Sequence, residues 1–284
     1  MGDGGRRAPA EGADGGAGPF AGKTAVLFDL DGTLIYTHID FALMRSEVAR
    51  LAVQFGVEPS VEPELDVLAM VEAGRSRLVA SGHSDRAAEF ARDALSRLEE
   101  IEEEQCGSPV QAPGASELLR RLRESGIAVG IVTRNSRRVS ERLVRSGGLL
   151  HDVLLTRDDV PRPKPDPDHL ARALEQMSQD GACALGRAVM VGDHWLDVAA
   201  GQAAGCATVG LLRGRDESFF ARATPDYLED EVGALLRFLP ARSSTITRRA
   251  FVALGGAAGL ATAGAEAASA VRPAPGRLPA HGKG

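Results

Sequence analysis

The sequence predicts an α/β fold: an open, doubly wound parallel sheet of Rossmann-like form, with an all-helical segment inserted just after its first strand. Three observations carry that reading. Thr24–Asp29 is a short apolar run of strand formers that stops at a carboxylate, as a strand buried on both faces does. From about Phe41 to Cys106 the apolar residues, Leu43, Val48, Leu51 and Phe55 among them, recur at the helical period of roughly 3.6 residues. After Pro113-Gly114, helical and strand-like stretches alternate, the pattern of a parallel sheet with crossover helices.

The elements follow in order. Residues 1–22 are Gly, Ala and Pro with few large apolar groups, so they are expected to form a floppy tail, without the continuous apolar core of an export signal. The first strand comes next, then the helical block. Its charge is distinct: residues 36–112 hold seven Arg against 15 Asp or Glu, and the run Glu99, Glu100, Glu102, Glu103, Glu104 reads as a solvated helix face. Beyond it the sequence predicts helix Ala115–Ser125, strand Ile127–Val132, a helix near Arg138–Ser146 and strand Val153–Thr156. A helix from Pro167, strand Ala188–Val191, a helix near Leu196–Ala204 and strand Ala207–Leu211 complete the series.

Composition narrows the function. The chain has 284 residues, 44% of them hydrophobic, which is enough for a sizeable core. A net charge of −6 offers no overall basic field for nucleic acid. Three cysteines without C-x-x-C spacing suggest neither a disulfide framework nor a zinc site, and a reducing cytoplasm fits them best.

In such sheets ligands bind beyond the carboxyl ends of the strands. The predicted strand ends here carry Asp29 and Asp31, then Thr133, Arg134 and Asn135, then Lys164, then Asp193 with Asp197 four residues on. Asp29 and Asp31 are two apart, so in an extended segment their side chains leave on one side and repel unless a cation stands beside them. Mg²⁺, a hard ion that takes oxygen ligands, resolves this, with Asp193 completing the protein's share. Thr133 adds a hydroxyl donor and Lys164 a compact cation, a set suited to moving an oxyanion onto a carboxylate nucleophile. Lys164 stands out for a further reason. Of 33 basic residues 30 are Arg, and the other two lysines, Lys23 and Lys283, lie in or beside the terminal segments. A position that keeps Lys in such a chain calls for a point charge that a guanidinium fork does not supply.

The segments FDLDGTL, IVTRN, RPKPDP and VGDHWLD, in that order over residues 24–240, resemble the four motifs of the haloacid dehalogenase superfamily, and within it the phosphoglycolate phosphatase-like enzymes. The resemblance implies Asp29 as nucleophile, Asp31 as general acid and then base, Thr133 as the phosphate-binding hydroxyl, and Lys164 as the charge-stabilising cation. It implies Asp29, Asp31, Asp193 and Asp197 as the Mg²⁺ site. Asp31 favours phosphate chemistry over dehalogenation, because an alkoxide must be protonated as it leaves and a halide need not be. The resemblance divides the chain into a core, residues 23–36 and 112–240, and a small helical cap, residues 37–111, that admits small phosphorylated metabolites. Asn135, Arg45, Arg75 and His194 are secondary candidates for substrate contact. The alternatives are a phosphomutase of the β-phosphoglucomutase type, which a sugar bisphosphate would activate, and a non-catalytic binding protein, against which the complete motif set argues.

Residues 241–284 break the pattern. Thr247-Arg248-Arg249-Ala250-Phe251-Val252 and the Ala/Gly stretch after it resemble a twin-arginine export signal out of place, and Glu266 with several glycines makes a stable membrane-spanning helix poor. The sequence leaves a tail or a reading-frame artefact as the favoured readings, and leaves the oligomeric state open.

Overall fold

A computed structural model describes residues 18–58, 66–107, 109–178 and 185–240. The expected tails therefore fall almost wholly outside the described residues. Strand β1 is Ala25–Phe28 and β2 is Ile35–Tyr36. Three helices follow, α1 (Phe41–Gln54), α2 (Val67–Ala80) and α3 (Ser84–Gln105), before β3 (Val110–Gln111) pairs antiparallel with β2. The insertion thus leaves and rejoins the core through adjacent strands. The remainder alternates: α4 (Ala115–Glu124), β4 (Ala128–Val132), α5 (Arg137–Ser146), β5 (Val153–Leu155), α6 (Asp168–Met177), β6 (Ala188–Gly192), α7 (Trp195–Ala203), β7 (Ala207–Leu211) and β8 (Tyr227–Glu229).

Six strands form one parallel sheet in the order β5-β4-β1-β6-β7-β8. The chain steps from β1 outward to β4 and β5, then crosses to the other side of β1 for β6, so the winding reverses around β1. Alternate side chains explain the two covered faces. Val26 and Phe28 enter a core closed by α4 and α5, through Leu118, Leu122, Val139 and Leu143. Ala25 and Leu27 enter a second core closed by α6 and α7, through Leu170, Leu174, Ala200 and Ala204.

The insertion has an apolar interior of its own, built from Met44, Val48, Leu51, Met70, Leu78, Phe90, Ala94, Leu98 and Ile101. Gly74 of α2 makes close packing possible, since a Cβ there would lie 2.5 Å from the Phe90 ring. Asp40 and Asp66 start α1 and α2 by accepting amides of the first turn, Leu43 N at 2.9 Å and Leu68 N at 3.0 Å.

Two expectations are corrected. The first strand does not run to Asp29: it ends at Phe28, and amides of Leu34 and Ile35 fold back onto the Leu30 carbonyl at 2.9 and 3.0 Å. The acidic run of α3 is not wholly solvated either. Glu102 is 2% exposed and pairs with buried Arg157 of the core, because its turn of α3 faces the sheet domain and not water. No helix among the described residues is long and apolar enough to cross a membrane.

Candidate active site

The site lies on the rim where β4, β1 and β6 end side by side, Phe28 being level with Ile131 on one neighbour and Val191 on the other. That register brings Asp29, Thr133 and Asp193 to one edge. Asp29 is fixed at the backbone by donating its N–H to the Val191 carbonyl at 2.9 Å.

Lys164 organises the centre. It comes from the loop before α6, is 1% exposed, and spends its three ammonium protons on Asp29 Oδ1 (2.7 Å), Asp197 Oδ1 (2.7 Å) and the Val132 carbonyl (2.6 Å). Burial opposes its charge, but Asp197 and Asp29 outweigh burial and hold its pKa above the ordinary lysine value. The loop that presents it is pinned in turn, the Lys164 N–H donating to His169 Nδ1 at 3.2 Å. His169 is wholly buried; burial first, then the Lys164 and Arg134 charges, push its pKa down to about 3, so it stays neutral and available as that acceptor.

Asp29, Asp193 and Asp197 form a compact carboxylate group, each offering an oxygen within 4.8 Å of the others. An all-oxygen set of three carboxylates fits a hard divalent cation. Burial raises the pKa of Asp29 to about 8, Lys164 opposing that rise while Asp197 and Asp193 add to it; burial raises Asp193 as well, with Asp197 adding. Gly32 is required beside them: its φ is +85°, and a Cβ would come within 2.6 Å of both Asp193 oxygens.

Asp31, expected among the metal ligands, is not in this group. The turn after Phe28 aims its carboxylate at Thr37, which donates its hydroxyl (2.6 Å) and its amide (3.1 Å). Burial raises the Asp31 pKa against those two hydrogen bonds. Thr133 is buried on the other flank, its hydroxyl accepting the Asn135 amide at 3.3 Å. The Asn135 Nδ2 and the Thr33 hydroxyl are buried nearby without partners among the described residues.

The secondary candidates divide. Asn135 is at the rim. His194 is the N-cap of α7, its ring accepting Leu196 N at 3.3 Å, and its amide donates to Asp197 Oδ2 at 3.1 Å, so it serves as a capping and orienting residue. Burial lowers its pKa. Arg75 is tied to Glu72 one turn earlier at 2.6 Å on the exposed side of α2. Arg45 is a half-buried residue of α1.

Three features escaped the sequence reading. Arg213 and Arg215, just past the end of β7, both reach Asp193 Oδ2, at 3.2 and 3.1 Å. Arg134 bridges to Asp66 of the insertion. Arg157 and the Ser136 amide both engage Glu102, locking α3 to the loops after β4 and β5. Inspecting the end of β7 with the other strand ends would have found the two arginines; the other pairings join residues 34 to 68 positions apart and leave no local signal.

An open parallel sheet gathering three aspartates and a buried lysine at its carboxyl rim defines a Rossmann-like α/β enzyme. A family model for haloacid dehalogenase-like hydrolases matches residues 23–205, and the chain belongs to that family. It is similar to pyrophosphatase PpaX of Bacillus cereus, 31% identical over 225 residues, which are 75% of this chain and 95% of that protein. It is also similar to an N-acetylmuramic acid 6-phosphate phosphatase of Pseudomonas putida, 31% identical over 196 residues, covering 67% and 83%. Among solved structures, a predicted phosphoglycolate phosphatase from Haemophilus somnus and a hydrolase from Pseudomonas syringae share the fold. Each has a TM-score of 0.51 and covers 76% of this chain and 97% of its own, at 21% and 23% identity. The protein is therefore a hydrolase whose curated relatives include phosphatases.

Proposed function

We infer that the protein is a Mg²⁺-dependent phosphomonoester hydrolase for small phosphorylated metabolites, acting through an aspartyl-phosphate on Asp29. The observation that carries this reading is the Lys164 ammonium, which holds Asp29 by Oδ1 and leaves Oδ2 to react. Attack by Oδ2 on phosphorus forms the acyl phosphate and breaks the ester bond, and the departing alkoxide takes a proton from Asp31. Asp31 then removes a proton from the water that attacks the acyl phosphate, and inorganic phosphate leaves with Asp29 regenerated. To give up that proton Asp31 exchanges the Thr37 hydroxyl for the ester oxygen. The Thr133 hydroxyl donates to the phosphoryl group from the neighbouring strand end. Asp29, Asp193 and Asp197 would hold Mg²⁺, which when bound supplies positive charge against the phosphoryl oxygens. The helical insertion serves as a cap over this rim, with Asp66 and Glu102 as its bonds to the core.

The test is phosphate release across small phosphorylated metabolites with and without Mg²⁺, repeated on Asp29→Asn. Wild-type turnover should vanish on chelation, and the variant should lose at least about 10⁴-fold, on the scale of removing a nucleophile. Hydroxylamine should trap an acyl group on Asp29 in the wild type alone. Release of phosphate by Asp29→Asn above background ends the covalent assignment.

A further inference from the structure

The cations on the core side of the rim are committed to carboxylates buried beside them: Lys164 to Asp29 and Asp197, Arg213 and Arg215 to Asp193, Arg157 to Glu102. Arg134 is placed differently. It follows Thr133 directly, and its guanidinium, like that of Arg157, crosses to the insertion, where one nitrogen pairs with Asp66 Oδ1; but the Arg157–Glu102 pair is only 4% and 2% exposed, whereas Arg134 and Asp66 are 18% and 22% exposed and open to a ligand. That oxygen already has other donors. It accepts Leu68 N at 3.0 Å and Ala69 N at 3.1 Å as the N-cap of α2, so Asp66 keeps the helix's first amides if the arginine leaves. The arginine is the under-satisfied member of the pair: its Nε is buried without a partner among the described residues, as is that of Arg157, whose pair with Glu102 is closed off from solvent. A guanidinium presents a rigid fork of donors that matches a carboxylate or a phosphate bidentately.

We propose that Arg134 is a specificity residue of this site, binding a second anionic group of the substrate in place of Asp66. The proposal rests on the phosphomonoester reading and deepens it. The preferred substrates are small phosphate compounds that carry a carboxylate or a further phosphoryl group a few bonds from the phosphorus attacked. Asp66 keeps the guanidinium in position until that anion replaces it, and the cap helix remains capped throughout. Arg75, by contrast, is exposed on α2 and held by Glu72 a turn away.

The experiment uses the full-length protein with Mg²⁺ and three matched probes: 2-phosphoglycolate, with a carboxylate; pyrophosphate, with a second phosphoryl group; and ethyl phosphate, with neither. Arg134→Gln removes the cation, and Asp66→Asn removes its competitor while keeping a good N-cap. The wild type should favour at least one charged probe over ethyl phosphate by about tenfold or more in kcat/KM, on the scale of a charge-assisted bidentate pair. Arg134→Gln should erase that preference by raising KM for the charged probe, whereas Asp66→Asn should lower the same KM several-fold. Whichever charged probe shows the effect identifies the anion. A pair that only latches the insertion to the core would make both variants shift all three probes together and in the same direction, and that result overturns the proposal. Calorimetry with the same probes reads binding independently of turnover. Binding that prefers a charged probe through Arg134, without turnover, supports the assignment and removes the hydrolase chemistry; equal binding of all three overturns the assignment even where turnover stands; no binding of any overturns both.

Discussion

In the helical insertion most charged side chains lie at the surface and pair with one another there, Arg75 with Glu72 and Glu47 with both Arg50 and Arg97, around an apolar interior. On the rim of the sheet the arrangement is inverted. Lys164 and Asp197 are buried, and the aspartate whose carboxylate Lys164 grips lies 135 residues away in sequence. The difference teaches where chemistry can sit. A surface pair in high dielectric is worth a few tenths of a kcal/mol and fixes little, whereas a buried charge network costs several kcal/mol in desolvation and has to be held in one geometry by backbone and neighbours. Along its seam with the core the insertion turns charge inward, through the buried Glu102 and the half-buried Asp66.

Beyond Asp29, the proposed nucleophile, the largest effect expected on the rim belongs to Asp31→Asn. The amide keeps the shape, its oxygen able to accept the Thr37 N–H while its Nδ2 donates to the Thr37 hydroxyl, but it has no acidic proton to give, and general acid catalysis is typically worth about 10²–10⁴-fold. The loss should shrink for aryl phosphates, whose leaving groups need less help. Equal losses for alkyl and nitrophenyl esters, measured as kcat, would assign Asp31 to the Thr37 contact alone.

Lys164→Arg asks whether the rim needs charge or a particular shape of charge. Three acceptors converge on one ammonium, two carboxylates and the Val132 carbonyl, and the planar guanidinium is too broad to meet all three in a site that is 1% exposed. A fall in kcat of about 10²-fold is expected, the scale of losing one electrostatic stabiliser. Full activity in this variant would erase the contrast with the insertion, where every basic position is an arginine.

How much of this was legible follows from the same contrast. Asp29, Thr133 and Asp193 could be read because each follows a strand whose apolar run is visible, and Lys164, on the loop before α6, because the chain keeps so few lysines. The direction of Asp31 could not, because the strand ends at Phe28 and the chain turns over Leu30–Ile35, so a period of two does not hold there. Glu102 sits among four other glutamates and is told apart only by the side of α3 that meets Arg157. Strand β8 was missed because three residues, Tyr-Leu-Glu, carry almost no pattern. Residues 241–284, with their twin-arginine-like segment, lie outside the described residues.

A smaller effect tests the support beneath Lys164. His169 titrates near 3 when folded, against an ordinary value of 6.5, because burial disfavours its charged form. Between those values the unfolded chain binds a proton that the folded chain refuses, so stability falls as pH drops through that window, by roughly 1.4 kcal/mol per pH unit. His169→Asn, whose Oδ1 can take over the acceptor role of Nδ1, should remove that slope. Chemical denaturation at about pH 7 and about pH 5 should then show a drop smaller than the wild type's by about 2 kcal/mol. An unchanged drop would place the acid sensitivity elsewhere on the rim.

The smallest effect is expected in the insertion itself. Arg75 is 44% exposed and its partner Glu72 is 59% exposed, so their attraction is screened and the side chains lose rotamer freedom in making it. Arg75→Gln should change unfolding free energy by no more than about 0.5 kcal/mol and leave kcat and KM for charged and uncharged phosphate esters alike. The measurement matters because Arg75 and Arg134 are both arginines paired with a carboxylate of the insertion, and only their surroundings differ. The guanidinium of Arg75 has water to satisfy its remaining donors; that of Arg134 has a buried Nε with no partner among the described residues. If Arg75→Gln raised KM for a charged ester, α2 would have to present that face to the substrate in solution, and the division between a chemically silent insertion and a reactive rim would have to be redrawn around it.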